Sequence, residues 1–127
     1  MDMKPATTVL LADHPGIGRT AIAALMVDTP GVRLVAKLSH AGEMLTAFRD
    51  TQPDVIVVDD RLLRDRTWPD ELREARLVVV GMDDDPGFAA RARRIGAEAW
   101  IPKELADSLL PSILVPSAVR SDAKVCI

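Results

Sequence analysis

Apolar and polar positions divide the chain into five candidate strands. Residues 8–12, 55–58 and 77–80 are almost uniformly apolar, which is typical of strands that are buried on both faces. Residues 32–38 and 97–101 instead alternate between apolar and polar positions, which is typical of strands with one exposed face. The pattern therefore predicts a sheet with three interior strands and two edge strands.

Segments with helical periodicity separate these strands. They lie at about residues 17–27, 42–50, 69–75, 87–95 and within 104–115. Pro111 is expected to interrupt the last of these helices, because proline has no backbone N–H to donate. The spacing predicts buried faces formed by Ile17, Ala21, Ala24 and Leu25 in the first helix, and by Phe88, Ala92 and Ile95 in the fourth. The stretch at 60–68 is too charged to be expected in the core.

Five strand–helix units predict an α/β fold, a doubly wound parallel sheet with right-handed crossovers and helices on both faces. If the first, third and fourth strands are interior, the strand order is 2-1-3-4-5, the flavodoxin-like arrangement. This order brings Asp13, Asp59, Gly81 and Lys103 to one carboxyl edge, where ligands bind in such folds. Asp60 should face away from Asp59, since successive strand residues point to opposite sides.

Composition narrows the functional classes. The 127 residues, 48% of them hydrophobic, suffice for one domain, expected at residues 1–115 and followed by a linker-like tail at 116–127. A net charge of −3 leaves no basic surplus for binding DNA directly. Cys126 is the single cysteine of the chain, so an intrachain disulfide is excluded and a reducing compartment is expected. With no leader-like N-terminus and no apolar run of membrane-spanning length, we expect a cytoplasmic protein.

Three motifs carry a resemblance to a known family. They are residues 9–15, residues 53–59 and the gapless run from Arg76 to Lys103, which includes Trp100. In order and spacing they resemble the receiver domains of two-component response regulators, most closely the branch usually joined to a LuxR-type helix-turn-helix. The resemblance implies a domain that accepts a phosphoryl group and relays it to a partner or to a DNA-binding output domain, without acting as an enzyme on other substrates.

The same resemblance implies roles for individual residues. Asp59 would be the phosphoacceptor, and Asp13, Asp59 and the backbone carbonyl of Arg61 would hold Mg²⁺. Lys103 would neutralise the phosphoryl oxygens. The implied partners are a sensor histidine kinase and a second copy of the chain, paired through the fourth and fifth helices. DNA would be reached only through an output domain that lies outside this sequence.

The switch residues depart from the family pattern. The family usually has two adjacent acids after the first strand, and here the first of them is Ala12, so weak Mg²⁺ binding is expected. The Ser or Thr that usually ends the fourth strand is Gly81, which has no hydroxyl. Trp100 matches the aromatic partner of that hydroxyl, although a half-buried aromatic on an edge strand explains it equally well. The segment before the fourth strand is short, which predicts a shortened third helix.

Other functions and simpler structural roles stay open. Asp59 could be a turn or N-cap residue, and His14 a loop residue rather than a base. The acids at 83–85 are explained as a solvated loop, with a substitute for the missing metal ligand as the alternative. Arg91, Arg93 and Arg94 are expected on the wet face of the fourth helix. The two rival functions are a phosphorylation-independent receiver that mediates dimerisation or ligand binding, favoured by Ala12 and Gly81, and a Mg²⁺-dependent phosphohydrolase.

Overall fold

A computed structural model describes residues 6–14, 16–64, 67–82 and 86–115. The strands are β1 (Thr7–Ala12), β2 (Val32–Leu38), β3 (Val55–Asp59), β4 (Arg76–Gly81) and β5 (Ala99–Pro102). The α-helices are α1 (Ile17–Asp28), α2 (Met44–Thr51), α3 (Phe88–Arg94) and α4 (Ala106–Leu114). Single 3-10 turns lie at Ala41–Glu43, Asp60–Leu62, Asp70–Glu74 and Lys103–Leu105. The predicted third helix is therefore only the five-residue turn Asp70–Glu74, so α3 and α4 are the predicted fourth and fifth helices.

The five strands form one parallel sheet in the order β2-β1-β3-β4-β5, which confirms the predicted flavodoxin-like topology. β3 and β4 are buried almost throughout and lie inside the sheet, as their uniformly apolar sequences require. β2 lies at one edge, and its charged residues Arg33 and Lys37 are exposed. The apolar patterns of β2, β3 and β4 thus agree with their places in the sheet, whereas β5 lies at the other edge but is mostly buried and does not show the predicted alternation.

Each face of the sheet has its own core. Ile56 and Val58 of β3 pack on one face with residues of α2 and α3, whereas Val55 and Val57 pack on the other with residues of α1 and α4. This division follows from the twofold alternation of side chains along a strand. Helices on both faces cover the sheet, as the doubly wound arrangement requires.

The buried face of α1 differs from the predicted one. Ile22, Ala23 and Met26 are buried, whereas Ala21 and Ala24 are exposed, and the side chain of Ile17 lies outside the described part. The helix is apolar on several sides, so small alanines could not define one face by periodicity. The predicted stripe of α3 is confirmed, since Phe88, Ala92 and Ile95 are all buried.

The charged stretch after β3 contributes to the core, contrary to the prediction. Leu62, Leu63 and Trp68 are buried in the cluster on the α2 face of the sheet. Asp65 and Arg66 lie outside the described residues. Because the third helix is only a short 3-10 turn, the two leucines and the tryptophan cover sheet surface that a longer helix would cover.

The last helix runs through Pro111 instead of being interrupted there. Proline cannot donate to the carbonyl of Asp107, one turn earlier, but Leu110, Ile113 and Leu114 on either side are buried against the sheet. Burial of that apolar face outweighs one missing hydrogen bond. None of the helices in the described ranges has the length and apolar character needed to cross a bilayer.

Candidate functional site

Parallel pairing brings the candidate residues together at the carboxyl edge of the sheet. Ala12 of β1 pairs with Val58 of β3, so Asp13 and Asp59 leave adjacent strands side by side. Gly81 pairs with Pro102 at the end of β5, directly before Lys103. The four positions predicted to meet therefore share one edge, although 90 residues separate Asp13 from Lys103 along the chain.

Lys103 bridges the two carboxylates. Its Nζ lies 2.5 Å from Oδ2 of Asp59 and 3.1 Å from Oδ1 of Asp13. Asp13 is fully buried, Asp59 is 1% exposed and the lysine side chain is 19% exposed. Buried carboxylates need such compensation, since burying an unpaired charge costs several kcal/mol (~5 or more).

Arg61 adds a second cation, which the sequence did not indicate. Its Nη2 lies 3.1 Å from Oδ2 of Asp59 and 3.8 Å from Oδ1 of Asp13. The backbone N–H of Arg61 also donates to Oδ1 of Asp59 at 2.7 Å, so Asp59 caps the turn Asp60–Leu62. Asp59 therefore has the N-cap role that was one of its two predicted interpretations, and the same side chain also belongs to the charged cluster.

The pair of carboxyls titrates asymmetrically. Burial acts to raise the pKa of Asp59, but hydrogen bonds with Asp13, Arg61 and Lys103 outweigh it and hold that pKa below its usual range. Burial, followed by the hydrogen bond and negative charge of Asp59, raises the pKa of Asp13 to about 6, against the opposing effect of Lys103. Asp59 is therefore ionised at neutral pH, and a proton bound to the pair resides on Asp13.

The cluster offers few ligands to a metal ion. Within the described ranges no three His, Cys, Asp or Glu side chains form a group that could hold one. Oδ2 of Asp13, however, is buried and has no hydrogen-bond partner among the described residues. Ala12, where the family has a further acid, is buried in the apolar cluster with Met44. The site therefore offers a hard cation one carboxylate oxygen without a partner, and it has one acid fewer than the family pattern.

Gly81 faces the ring of Phe88. A Cβ built on Gly81 would lie 2.9 Å from Cδ1 and Cε1 of Phe88 and 3.2 Å from Cβ of Asp60. Contacts under about 3.0 Å force something to move. The Phe88 ring thus occupies the space that a hydroxyl-bearing side chain at this position would need.

Asp60 points away from the cluster, as predicted, and pairs with Arg91 of α3. Nε of Arg91 donates to Oδ1 of Asp60 at 2.8 Å, and Nη2 donates to Oδ2 at 2.5 Å. Asp60 is 2% exposed. The prediction of a wet face was wrong for Arg91 and is confirmed for Arg93 and Arg94, which are exposed. A charge-rich sequence gave no signal for this particular partnership.

Trp100 is half-buried on the edge strand β5, with the guanidinium of Arg93 5.2 Å from the centroid of its ring. This is an ordinary position for an aromatic residue, and the switch role stays a prediction. His14 is exposed, and its backbone N–H donates to Oδ1 of Asp13. The loop at 83–85 lies outside the described residues, so neither explanation for its acids is tested.

Comparison with known proteins gives one curated relative and several solved structures. No protein-family model matches the chain. It is 26% identical over 124 residues to protein-glutamate methylesterase/protein-glutamine glutaminase 2 of Nitratidesulfovibrio vulgaris. The alignment covers 92% of this chain but 34% of that protein, so the chain spans about a third of the curated relative's length.

Two solved structures are similar over most of both chains. A LuxR-family two-component response regulator from Aurantimonas sp. SI85-9A1 has 26% identity and a TM-score of 0.68, covering 86% of this chain and 85% of that one. The isolated REC domain of RcsB from Salmonella enterica serovar Typhimurium, with the phosphomimetic BeF3-, has 16% identity and a TM-score of 0.76, covering 96% and 94%. The chain therefore has the receiver-domain fold of two-component response regulators, and its structural neighbours include the LuxR branch, as its motifs predicted.

Proposed function

We propose that this chain is a receiver domain that accepts a phosphoryl group on Asp59. The observation that carries the proposal is the contact of Lys103 with both buried carboxylates, 2.5 Å from Asp59 and 3.1 Å from Asp13. A fixed cation beside a nucleophile stabilises the negative charge that a phosphoryl group brings. Among the described residues of the carboxyl edge, Lys103 is the cation that spans both acids most closely.

In the proposed reaction an oxygen of Asp59 attacks the phosphorus of a phosphohistidine or of a small acyl phosphate. The new P–O bond makes an acyl phosphate, while the bond from phosphorus to the donor breaks and its electron pair leaves with the imidazole or carboxylate. The lowered pKa of Asp59 keeps the nucleophile ionised. Oδ1 is held by a backbone N–H, whereas Oδ2 contacts only movable side chains among the described residues, so Oδ2 is the proposed attacking atom.

Asp13, Asp59 and the backbone carbonyl of Arg61 would hold Mg²⁺. When bound, the ion neutralises the paired carboxylates and the incoming phosphoryl oxygens. The unpartnered Oδ2 of Asp13 supports this assignment for the described part of the site. Because Ala12 replaces an acid, we expect weaker Mg²⁺ binding than in receivers with two adjacent acids.

The proposed partners follow from the same fold. A sensor histidine kinase would donate the phosphoryl group, and a second copy would pair through α3 and α4. Arg93 and Arg94 on α3 and Asp107 on α4 are exposed and could form charge pairs between copies. DNA would be contacted only by a separate output domain, because this chain carries a net charge of −3.

A phosphorylation-independent receiver is the second candidate, and a specific contact favours it. Gly81 lacks the hydroxyl that normally couples phosphorylation to a change of shape. Phe88 fills the space beside Gly81, so a side chain carrying that hydroxyl would not fit either. A bound group shifts a conformational equilibrium only through differential affinity for the two states. Phosphorylation of Asp59 would then alter the α3–α4 face little, and pairing would be constitutive or absent in both states.

Mass spectrometry after incubation with acetyl phosphate and Mg²⁺ tests the main proposal. We expect one added phosphoryl group on the parent chain, its loss in Asp59→Asn, and its retention in Asp107→Asn, which changes an exposed acid of the same type. A label that survives Asp59→Asn would contradict the assignment. No label on a folded parent chain would favour the second candidate.

Beryllofluoride with Mg²⁺ separates a working switch from a silent one. Trp fluorescence and self-association should change little in the parent chain. The matched comparison is Gly81→Thr combined with Phe88→Ala, which supplies the hydroxyl and the room for it. A large response in the parent chain, equal to that of the double variant, would refute the silent switch.

A further inference from the structure

The guanidinium of Arg61 lies against both acids of the charged cluster. Its Nη2 is 3.1 Å from Oδ2 of Asp59 and 3.8 Å from Oδ1 of Asp13, and its Nε is 3.3 Å from Oδ1 of Asp59. The two carboxylates have almost no exposed surface, whereas the side chain of Arg61 is 48% exposed and that of Lys103 is 19% exposed. Arg61 is therefore the outer cation of the cluster, in contact with the acids and open to solvent.

The charges of this cluster balance without a metal ion. Among the described residues, two ionised carboxylates, Asp13 and Asp59, face two cations, Lys103 and Arg61. Ala12, next to Asp13, adds no further charge. The affinity of an oxygen site for a divalent cation increases with the negative charge of its ligands. The described site therefore has less need of a divalent cation than the same two acids would have beside a single lysine.

Binding of an anion at Asp59 gives the guanidinium a new partner. When an oxygen of Asp59 bonds to a phosphoryl group, or to the beryllium of beryllofluoride, the carboxylate gives up its negative charge. Arg61 suits the exchange, because a planar guanidinium forms paired hydrogen bonds with a carboxylate and equally with a phosphate. We propose that the side chain of Arg61 takes the place of the divalent cation, so that this site binds a phosphoryl group or its tetrahedral analogue without Mg²⁺. This inference rests on the function proposed for Asp59.

The same position makes Arg61 a competitor of Mg²⁺. The two acids that would hold the ion are buried beneath Lys103 and Arg61, so an ion reaches them only after a side chain moves. The more exposed arginine is the side chain that moves in this proposal. Removing its charge therefore has two opposite effects, weaker anion binding without a metal ion and tighter binding of Mg²⁺. Damage to the fold would weaken both.

Beryllofluoride binding with and without Mg²⁺ tests the substitution. In buffer passed over a chelating resin, calorimetry and ¹⁹F spectra of the full chain should show saturable binding. We expect Arg61→Ala to weaken this metal-free binding about tenfold, as the loss of a charge-assisted hydrogen bond allows. With saturating Mg²⁺ the loss should be only about threefold, because the ion then supplies the second cation. Arg61→Lys keeps the charge and should recover part of the metal-free binding.

A titration with Mg²⁺ in the absence of beryllofluoride tests the competition. Arg61→Ala keeps the backbone N–H that donates to Asp59, so the turn after β3 retains its cap. We expect this variant to bind Mg²⁺ about fivefold more tightly than the parent chain, as the loss of one neighbouring ion pair allows. Arg33→Ala is the matched control in both experiments and should behave as the parent chain, because it removes an exposed arginine near the start of β2, away from the carboxyl edge.

Three results would overturn the inference. They are beryllofluoride binding that requires Mg²⁺ in the parent chain, an equal loss in Arg61→Ala with and without Mg²⁺, and an affinity for Mg²⁺ that is unchanged or lowered in Arg61→Ala. Each of them leaves the function proposed for Asp59 in place, provided that Asp59→Asn abolishes beryllofluoride binding. Binding that survives Asp59→Asn, or no binding by the folded parent chain under either condition, would contradict that function and the inference together.

Discussion

Asp59 and Asp60 are neighbours in sequence and both are nearly fully buried, but their electrostatic surroundings differ. Asp60 meets Arg91 through two hydrogen bonds, one to each carboxylate oxygen, which is a matched pair of charges. Asp59 instead shares Lys103 and Arg61 with a second carboxylate, Asp13. Asp60 is neutralised by arginines alone, with Arg64 3.9 Å from its Oδ2 as a second and weaker partner. Asp59 belongs to a cluster that contains another carboxylate.

The difference distinguishes a carboxylate with a structural role, Asp60, from Asp59, the one that we propose to react. A bidentate pair loses its geometry if either member moves, so Asp60 holds α3 to the end of β3. The cluster around Asp59 keeps one carboxylate oxygen without a partner in the described residues and a carboxyl that binds a proton near neutral pH. The electrostatic energy of such a site can fall when a cation or an anion binds and its side chains rearrange.

The largest expected effect is on stability. Asp60→Asn leaves the guanidinium of Arg91 beside a neutral amide, and we expect the free energy of unfolding to fall by about 3 kcal/mol. Asp59→Asn leaves Lys103 paired with Asp13, so its cost should stay below about 1 kcal/mol. Urea unfolding of both variants checks this ranking. Equal losses would mean that the two carboxylates do not differ in role.

The next effect is a dependence of stability on pH. The pKa of Asp13 rises from 3.8 to about 6 on folding, so the folded chain binds more protons than the unfolded chain between these values. The stability that Asp13 contributes is fully present below about pH 4 and is lost as the pH rises through 6. The free energy of unfolding therefore falls by about 2 kcal/mol over this range. Unfolding in metal-free buffers from pH 4 to 7 should show this decline relative to Asp13→Asn. Parallel curves for the parent chain and the variant would exclude it.

A smaller effect is expected at Gly81. Gly81→Ala pushes a methyl group against the Phe88 ring and should cost about 1.5 kcal/mol of unfolding free energy. Phe88→Leu in the same chain should recover part of that loss, although it is destabilising by itself. A double-variant cycle from thermal or urea unfolding measures the coupling. Additive costs would show that the ring yields without strain.

The smallest effect concerns the two cations of the cluster. Lys103→Ala should weaken beryllofluoride binding about tenfold, and Arg61→Ala about threefold, because the more exposed guanidinium is better screened. Substitutions at residues 83–85 should weaken beryllofluoride binding less than either of these two substitutions. Titration calorimetry with Mg²⁺ held constant gives the ranking. A larger loss for Arg61→Ala would transfer the main role to the side chain of Arg61, which the sequence did not single out.

Strand order and the location of the site could be predicted because they depend on one-dimensional patterns. Uniformly apolar β3 had to be interior, and the carboxyl ends of parallel strands had to bring Asp13, Asp59 and Lys103 together. The partners of Asp60 and the side chain of Arg61 could not be predicted, since several arginines nearby carry the same charge. The burial of Trp68 could not be predicted either, because its charged neighbours in sequence indicated an exposed segment. That pattern gives no sign of the space that a shortened helix leaves.

The contact between Gly81 and Phe88 also has an evolutionary consequence. A mutation that restores a hydroxyl at position 81 meets the ring at 2.9 Å, and a mutation that first shrinks the ring opens a void in the core. Each single step is therefore expected to lower stability before the pair of changes could supply a switch. A hydroxyl at position 81 is expected to become tolerable only together with a change at Phe88, so a single point mutation does not suffice to introduce it.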